Sequence, residues 1–450
     1  MIKWLLAWRY FIGRPISILA VAAVTLCVFI VVVVMTVMNG LVEDFKQKNH
    51  SYAGDCVIES DSLTGFAYYE EFLETLGRQP FIHAASPVVK GVGLLTMPGA
   101  DWNIGIEIHG IDPVLHSQAT GFADTLYYHK DAPADAFRPS YLPETAGCIV
   151  GIDIMSPRRQ SDGGYYHPDT PVALELIISA FPLNLRGGLA RAGTDFISTK
   201  SFYYSDDSHS GLVKVDGAVV YVPLAEAQIL CGMDAPLKRA SSIHIRFAAG
   251  TSPLDALEKV RTLWSEHQSR YGSQPGGELL THVRVQSWQE NRRSIIAPME
   301  KEQTMMIMLF IMLGLITVFI VLVVLYMIIS HKSKDIGILK SIGTSAAEML
   351  GVFLLYSVFI GLIGAGLGSL GGWFFLSKIN PLEDWLFEHY QWQLWDRAVY
   401  AIGDIPHQVD ADVLAAVIGA AVLSCLLGAI IPSYQAARKK PAQSLQVNQL

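Results

Sequence analysis

Four long apolar runs, one near the start of the chain and three near its end, constrain this sequence most. They cover residues 16–38, 305–330, 349–376 and 413–432. A helix needs about 20 apolar residues to cross a bilayer, and each run reaches that length. Only 16% of the residues are charged, against about 25% in average soluble domains. The apolar excess sits in the four runs, so the stretch between the first and second can hold one or two ordinary cores. The expected fold class is therefore a membrane α-helical protein. Its four transmembrane helices stand in a 1+3 arrangement, with a large extracytoplasmic α/β domain inserted between helices 1 and 2.

The net charge of −8 is unevenly spread. Lys3, Arg9 and Arg14 precede the first run. His331, Lys332, Lys334 and Lys340 separate the second and third, opposed by Asp335 and, at the start of the third, Glu348, and Arg438, Lys439 and Lys440 follow the fourth. The stretch between the third and fourth runs is acidic, with Glu383, Asp384, Glu388, Asp396, Asp404, Asp410 and Asp412 against Lys378 and Arg397. Basic flanks mark the cytoplasmic side. Both termini are thus expected inside, with both long intervening segments outside. The first run is longer than a signal-peptide core, and no A-x-A-like site follows it, so it is expected to remain as an anchor.

The expected segments are an interfacial elbow helix at 1–15 and transmembrane helix 1 at 16–38. A periplasmic α/β domain follows at 39–302, then transmembrane helix 2 at 303–330, a cytoplasmic helix at 331–346 and transmembrane helix 3 at 347–376. A periplasmic loop covers 377–410, transmembrane helix 4 covers 411–432, and a cytoplasmic tail covers 433–450. The elbow rests on Trp4, Trp8, Tyr10 and Phe11 alternating with Lys3 and Arg9 before Pro15; a longer first helix with an aromatic belt is the alternative. In the large domain, β-branched patterns predict strands at 104–109, 172–181, 213–222 and 243–247, and helices at 68–78 and 253–271, the latter with Ser252 at its N-cap. Strands and helices alternate at both ends, which suggests a βαβ-type unit with a β-rich insertion over about 140–240. Cys56, Cys148 and Cys231 do not form a disulfide framework there. The His, Asp and Ser of this domain are expected to be ordinary surface residues.

Residues 332–344 carry the sharpest local pattern. Ile336, Leu339 and Ile342 recur at helical spacing with Ile338 beside them, flanked by Lys334 and Asp335, and Gly343 ends the segment. Such an apolar face can dock into a groove on a soluble partner, or lie on lipid. Gly364, Gly368 and Gly372 form two consecutive G-x-x-x-G spacings, which lets helices approach closely. Ala416, Ala420, Ser424 and Gly428 offer a similar face on the fourth run, so the third and fourth spans are expected to pack together. Met35, Met38, Met305, Met306, Met308 and Met312 gather toward one end of the first two spans, and flexible thioethers suit a groove for acyl chains.

Other chemistry is missing. No G-x-x-x-x-G-K-[ST] phosphate cradle occurs, so ATP has no site in this chain. No H-E-x-x-H, C-x-x-C or G-x-S-x-G appears; neither a metal nor a catalytic residue is expected. The spans hold no Lys, Arg or His, which argues against an ion-coupled carrier.

The chain resembles ABC-transporter permeases of the FtsX-like/MacB-type superfamily, and within it the lipoprotein-releasing (Lol-type) permeases. Arg9-Tyr-Phe before the first span, Val37-Met-Asn-Gly40 at its end, Ser287-Trp-Gln289 before the second and 334–343 carry the likeness. So does Pro432-Ser-Tyr-Gln-Ala-Ala-Arg438 with Pro441-Ala442. The resemblance implies a permease that is not itself an enzyme. It works as a homodimer or with a paralogue and pairs with a cytoplasmic ABC ATPase dimer that holds the ATP and magnesium. Lys334, Asp335, Ile336, Ile338, Leu339, Ile342 and Gly343 become its coupling helix. The cargo is a lipoprotein or other lipid-anchored molecule entering from membrane lipid, the methionines above lining its groove. A periplasmic carrier or adaptor docks on a loop at 181–191, with Phe181, Leu183, Leu185, Arg186, Leu189 and Arg191 as its contacts. Nucleic acid has no place in this scheme. A MacB-type exporter of peptides or small amphiphiles and an FtsX-like scaffold controlling a cell-wall hydrolase are the alternatives.

Overall fold

The computed structural model describes residues 15–99, 102–156, 165–189, 197–390, 392 and 404–438. The elbow at 1–15, the tail beyond Arg438 and Arg191 lie outside the described residues, Pro15 excepted. The chain divides into two units. Among the described residues, the first holds four helices long and apolar enough to cross a membrane.

The first of these, α1 (Pro15–Ala53), begins on a proline, whose missing N–H costs nothing in a first turn. Its 39 residues extend about 58 Å at 1.5 Å per residue, nearly twice a hydrocarbon core of about 30 Å. The helix therefore does not stop at Met38 but runs on into the second unit, whose share of it starts at Asp44.

Within the second unit, β1 (Cys56–Ser60), β2 (Phe66–Ala67), α2 (Tyr69–Gly77) and β3 (Ile82–Thr96) come first. β4 (Asn103–Ile111), α3 (Pro113–Ala119), β5 (Gly147–Gly151), β6 (Glu175–Ala180), β7 (Ser198–Ser208) and β8 (Val219–Pro223) follow. The unit continues with α4 (Leu224–Cys231), β9 (Arg239–Ala240), β10 (Ser242–Phe247), α5 (Pro253–Tyr271) and β11 (Val283–Ser287). Helix α5 has the expected bounds, although the Ser252 side chain makes no capping bond.

The long strand β3 serves two sheets. Its first half, Ile82 to Val88, pairs with β10, which also pairs with β1, all antiparallel. β1 and β3 are thus parallel neighbours split by β10, with α2 as the crossover: a split βαβ unit. Phe72 and Leu76 of α2 and Val260 and Trp264 of α5 fill its core. The second half of β3 pairs with β4 on one side and β6 on the other. Strands β3, β4, β8, β5, β7 and β6 then close into a ring, which removes exposed edges. Val89, Leu95, Ile108, Leu176 and Phe202 pack in its core.

Two expectations need correction. The strand-rich part takes in residues 89–111, well before 140. The strand expected over 213–222 is a helical turn, Val213–Asp216, followed by β8. Asp216 accepts hydrogen bonds from the Ser210 amide and hydroxyl and from the Gly211 amide, which folds that stretch back into a turn.

The membrane unit resumes with α6 (Arg293–His331), α7 (Ser333–Ser341), α8 (Ala346–Ser377), α9 (Ile379–Tyr390) and α10 (Ala411–Arg438). A reciprocal capping box between Ser345 and Glu348 starts α8. Helix α10 passes through Pro432 instead of ending there. Val24, Val28 and Val32 of α1 form one stripe of the core with Leu325 of α6, Phe353 and Ile360 of α8 and Ala429 of α10.

Candidate functional site

Helices α1, α6 and α10 border an apolar cleft of about 570 Å³ within the membrane unit. Val24, Val28, Val31 and Met35 line it from α1, Ile307, Phe310, Ile311 and Gly314 from α6, and Ala416, Ala420 and Ser424 from α10. No lining residue carries a charge. Gly314 and the small residues on α10 keep the facing surfaces thin, so the space stays open instead of filling with side chains.

Of the methionines expected here, only Met35 lines the cleft. Met305, Met308 and Met312 are more than half exposed on the outer side of α6, and Met38 and Met306 are half-buried. Helical phase explains the difference. Met305, Met308 and Met312 recur at i, i+3, i+7 on one face, and Ile307, Ile311 and Gly314 take the other. The small residues of α10, read in the sequence as a packing face, are the missed part of the lining.

At the ends of these spans that lead to the α/β domain, Gln303 Nε2 donates a 2.7 Å hydrogen bond to Asn39 Oδ1. Beside it Gly40 has no room for a side chain: a Cβ there would lie 2.3 Å from Pro406 Cβ. The Asn39-Gly40 pair therefore joins the first span both to the second and to the segment before the fourth.

The glycine stripe of α8 packs on α1, not on α10. A Cβ on Gly364 would meet Val24 Cβ at 2.8 Å, one on Gly368 the Thr25 carbonyl at 2.6 Å, and one on Gly372 the Val32 Cγ1 at 3.0 Å. Tyr356 and Ser17 link the same two helices through a buried 2.7 Å hydrogen bond. The third and fourth spans do lie together as expected, though not through the glycine stripe: helix α10 packs along another face of α8, past Gly361. Its Gly428 instead lies against the Val318 carbonyl of α6, where a Cβ would be 2.4 Å away.

Helix α7 has two apolar sides. Ile336 is fully buried and Leu339 packs on the membrane core. Ile338 and Ile342 are exposed, together with Lys334 and Ser341. The stripe expected as one docking face is thus divided: Ile336 and Leu339 hold the helix to the bundle, and Ile338 and Ile342 are free to meet a partner. Lys340 Nζ donates to the Ala437 carbonyl at 2.6 Å, which ties α7 to the end of α10. Gly343 follows with φ of 105°, a conformation that suits glycine at a helix stop.

The loop after β6 is a tight hairpin. Asn184 Oδ1 accepts from the Arg186 and Gly188 amides, and the Asn184 amide bonds the Gly188 carbonyl at 2.8 Å. Arg239, with no exposed surface, donates to the carbonyls of Thr64, Leu183 and Gly232 and fixes the hairpin's base. Burial lowers its pKa. Phe181, Arg186 and Leu189 are exposed, while Leu185 packs into the split βαβ core and Leu183 is half-buried.

Several polar residues of the α/β domain are not on its surface. His109, His116 and His244 are buried. Burial pushes His116 down to about 3, His244 well below the usual histidine range and His109 down as well. His244 Nδ1 donates to the Ala53 carbonyl at 2.9 Å, and His116 Nδ1 lies 3.3 Å from Ser86 Oγ. Asp206 is fully buried and accepts from the amides of Tyr127, Tyr128 and His129. Its neighbour Asp207 is pushed up to about 6 by burial. These groups close turns and strand ends, and His116 also lines a small cavity of about 160 Å³ with Ser51, Tyr52 and Phe122.

Residues 307–441 match the FtsX-like permease C-terminal family. That match takes in the third and fourth spans and most of the second, so this part of the chain is similar to an FtsX-like permease. The chain is similar to the lipoprotein-releasing system transmembrane protein LolC of Neisseria meningitidis serogroup B, with 23% identity over 96% of this chain and 94% of that protein. LolC of Xylella fastidiosa (strain 9a5c) is 26% identical over 36% of this chain and 39% of its own length. Among solved structures, the periplasmic region of MacB from Actinobacillus actinomycetemcomitans matches with a TM-score of 0.29 and 11% identity, over 54% of this chain and 94% of that one. The extracellular domain of YknZ from Gram-positive bacteria matches at 0.28 and 11%, over 52% and 98%.

Proposed function

We propose that this chain is a permease subunit of an ATP-driven complex that lifts lipoproteins out of the outer leaflet of a bacterial inner membrane and passes them to a soluble carrier. The apolar cleft carries this proposal. An uncharged groove between the first, second and fourth spans suits acyl chains, which gain by leaving water but need no polar partner. The similarity to LolC over nearly the whole chain supports the same cargo class.

The remaining parts follow from that role. The charge asymmetry puts both termini and α7 in the cytoplasm. ATP is hydrolysed with magnesium on a separate ATPase dimer, which α7 engages through Ile338 and Ile342. Ile336, Leu339 and the Lys340–Ala437 bond fasten α7 to the bundle, so a push on α7 reaches α10 and one wall of the cleft. The Phe181, Arg186 and Leu189 tip of the hairpin receives the carrier. A second permease, identical or paralogous, completes the complex.

Photo-crosslinking tests the cleft. A benzophenone side chain at Phe310 or Ala420 should capture a triacylated lipoprotein in membranes, and one at Met308 on the opposite face of α6 should not. Equal capture from both faces would remove the cleft from the proposal.

A further inference from the structure

We propose that α9 is an interfacial anchor that rests in the headgroup layer of the bilayer at the outer end of the third span. Its twelve residues carry three stripes. Ile379 and Glu383 face inward and are buried. Asp384 and Glu388 are exposed on a polar stripe. Between these lies a row that a water-facing helix has no use for: Leu382 and Trp385 exposed, Leu386 half-buried, and the His389 ring 4.9 Å from Trp385.

The occupant of that row follows from its place on the chain. Trp373 and Phe374, in the last turn of α8, are 59% and 63% exposed and so belong to the lipid-facing surface of the span. Helix α9 starts one residue after α8 ends, at Lys378, so its apolar row continues that surface. The 32 residues of α8 reach about 48 Å, enough to pass the hydrocarbon core and arrive among the headgroups of a bilayer about 40–45 Å thick. Trp and Tyr concentrate at that level, where an apolar ring and a polar edge are both satisfied. Asp384 and Glu388 stay in water, and Lys378 can extend along the surface to the phosphates. A single row of side chains is too narrow for a stable protein interface, which needs about 800 Å² on each partner. Lipid is therefore the favoured partner over a second protein.

Anchoring would act on more than α9. Asn380 Oδ1 accepts from the Ile405 amide at 2.9 Å, and its Nδ2 donates to the Ile405 carbonyl at 3.3 Å. The same helix thus holds the end of α8 and the segment leading to α10 at one depth.

The test uses the full-length chain in nanodiscs of phosphatidylethanolamine and phosphatidylglycerol. Tryptophan emission is compared between wild type and Trp385→Phe, with bromines placed near the carbonyl end of the acyl chains or near their methyl end. The Trp385-dependent emission should be largely quenched by shallow bromines, weakly by deep ones, and hardly by aqueous iodide. Quenching by iodide without quenching by bromolipid would overturn the proposal, since the row would then face water. Protection from all three quenchers would overturn it as well, since a protein would then cover the row.

Discussion

Gln303 and Asn39 join the first two spans one helical turn beyond the cleft residues Ile307 and Met35: Gln303 Nε2 donates to the side-chain oxygen Oδ1 of Asn39 at 2.7 Å. Under the proposed function, lipid-anchored cargo entering between these spans must part them. A net hydrogen bond of about 0.5–1.5 kcal/mol corresponds to roughly a two- to tenfold shift in an open–closed balance. Gln303→Ala should raise the open population by that factor, measured as a distance change between spin labels on the two spans. An unchanged distance distribution in Gln303→Ala would show that the bond is not a latch.

Glycines on α8 offer a matched pair. A Cβ on Gly368 would fall 2.6 Å from the Thr25 carbonyl, whereas one on Gly366 meets nothing within 4 Å. Gly368→Ala should destabilise the bundle by about 1–3 kcal/mol through overpacking. Gly366→Ala should be neutral or slightly stabilising, since alanine favours helix. Thermal unfolding in detergent reads both, and equal effects would contradict the packing of α8 on α1.

The two sides of α7 separate coupling from folding. Ile338→Glu and Ile342→Glu should abolish co-purification of the ATPase while leaving permease yield intact, because both residues are exposed. Ile336→Glu should instead lower the yield of the permease itself, since an unpaired buried carboxylate is costly. Lys334→Ala should change ATPase binding by only about 0–1 kcal/mol.

At the hairpin, Arg239→Leu leaves the carbonyls of Thr64, Leu183 and Gly232 without this donor. Each buried acceptor so orphaned costs about 1–3 kcal/mol. The domain should lose that order of stability in chemical denaturation. Phe181→Ala and Arg186→Ala should leave stability unchanged and weaken carrier binding in a pull-down.

Acid should destabilise the α/β domain. His116, His244 and His109 have folded pKa values below their unfolded one of about 6.5, so below that pH the unfolded chain binds more protons. Their contribution to stability is present above pH 6.5 and declines as the pH falls toward about 3, where His116 titrates when folded. Asp207, raised to about 6, and Asp216, also raised by burial, have the opposite sign, but His267, lowered to about 4, joins the three histidines, and two carboxyls offset only part of four. Denaturation midpoints followed by the fluorescence of the buried Trp264 should fall between pH 7 and pH 5. A rise over that interval would contradict the sign.

Several features were legible in the sequence because they depend on local signals. The spans show in length and hydropathy, and α5 shows in the Ser252-Pro253 start. Strand β3 was hidden because Pro87, Gly91 and Gly93 look like breakers, and two of its partners, β10 and β6, are remote in sequence. The glycine stripe of α8 implied close packing but could not name α1 as its partner. On α6 the methionines drew attention by side-chain type, while helical phase assigned the cleft to Ile307, Ile311 and Gly314. On α7 the apolar residues were evident, but only packing separates Ile336 and Leu339 from Ile338 and Ile342.

Release from proteoliposomes tests the proposed function most directly. The permease is reconstituted with its ATPase and a fluorescent triacylated lipoprotein, and the soluble fraction is assayed with ATP and carrier present. Lipoprotein should appear in the carrier-bound fraction, depend on ATP, and fall to background in Ala420→Trp, which fills the cleft. Lipoprotein that stays in the membrane while the same vesicles transport a soluble peptide would contradict the assignment and favour a MacB-type exporter.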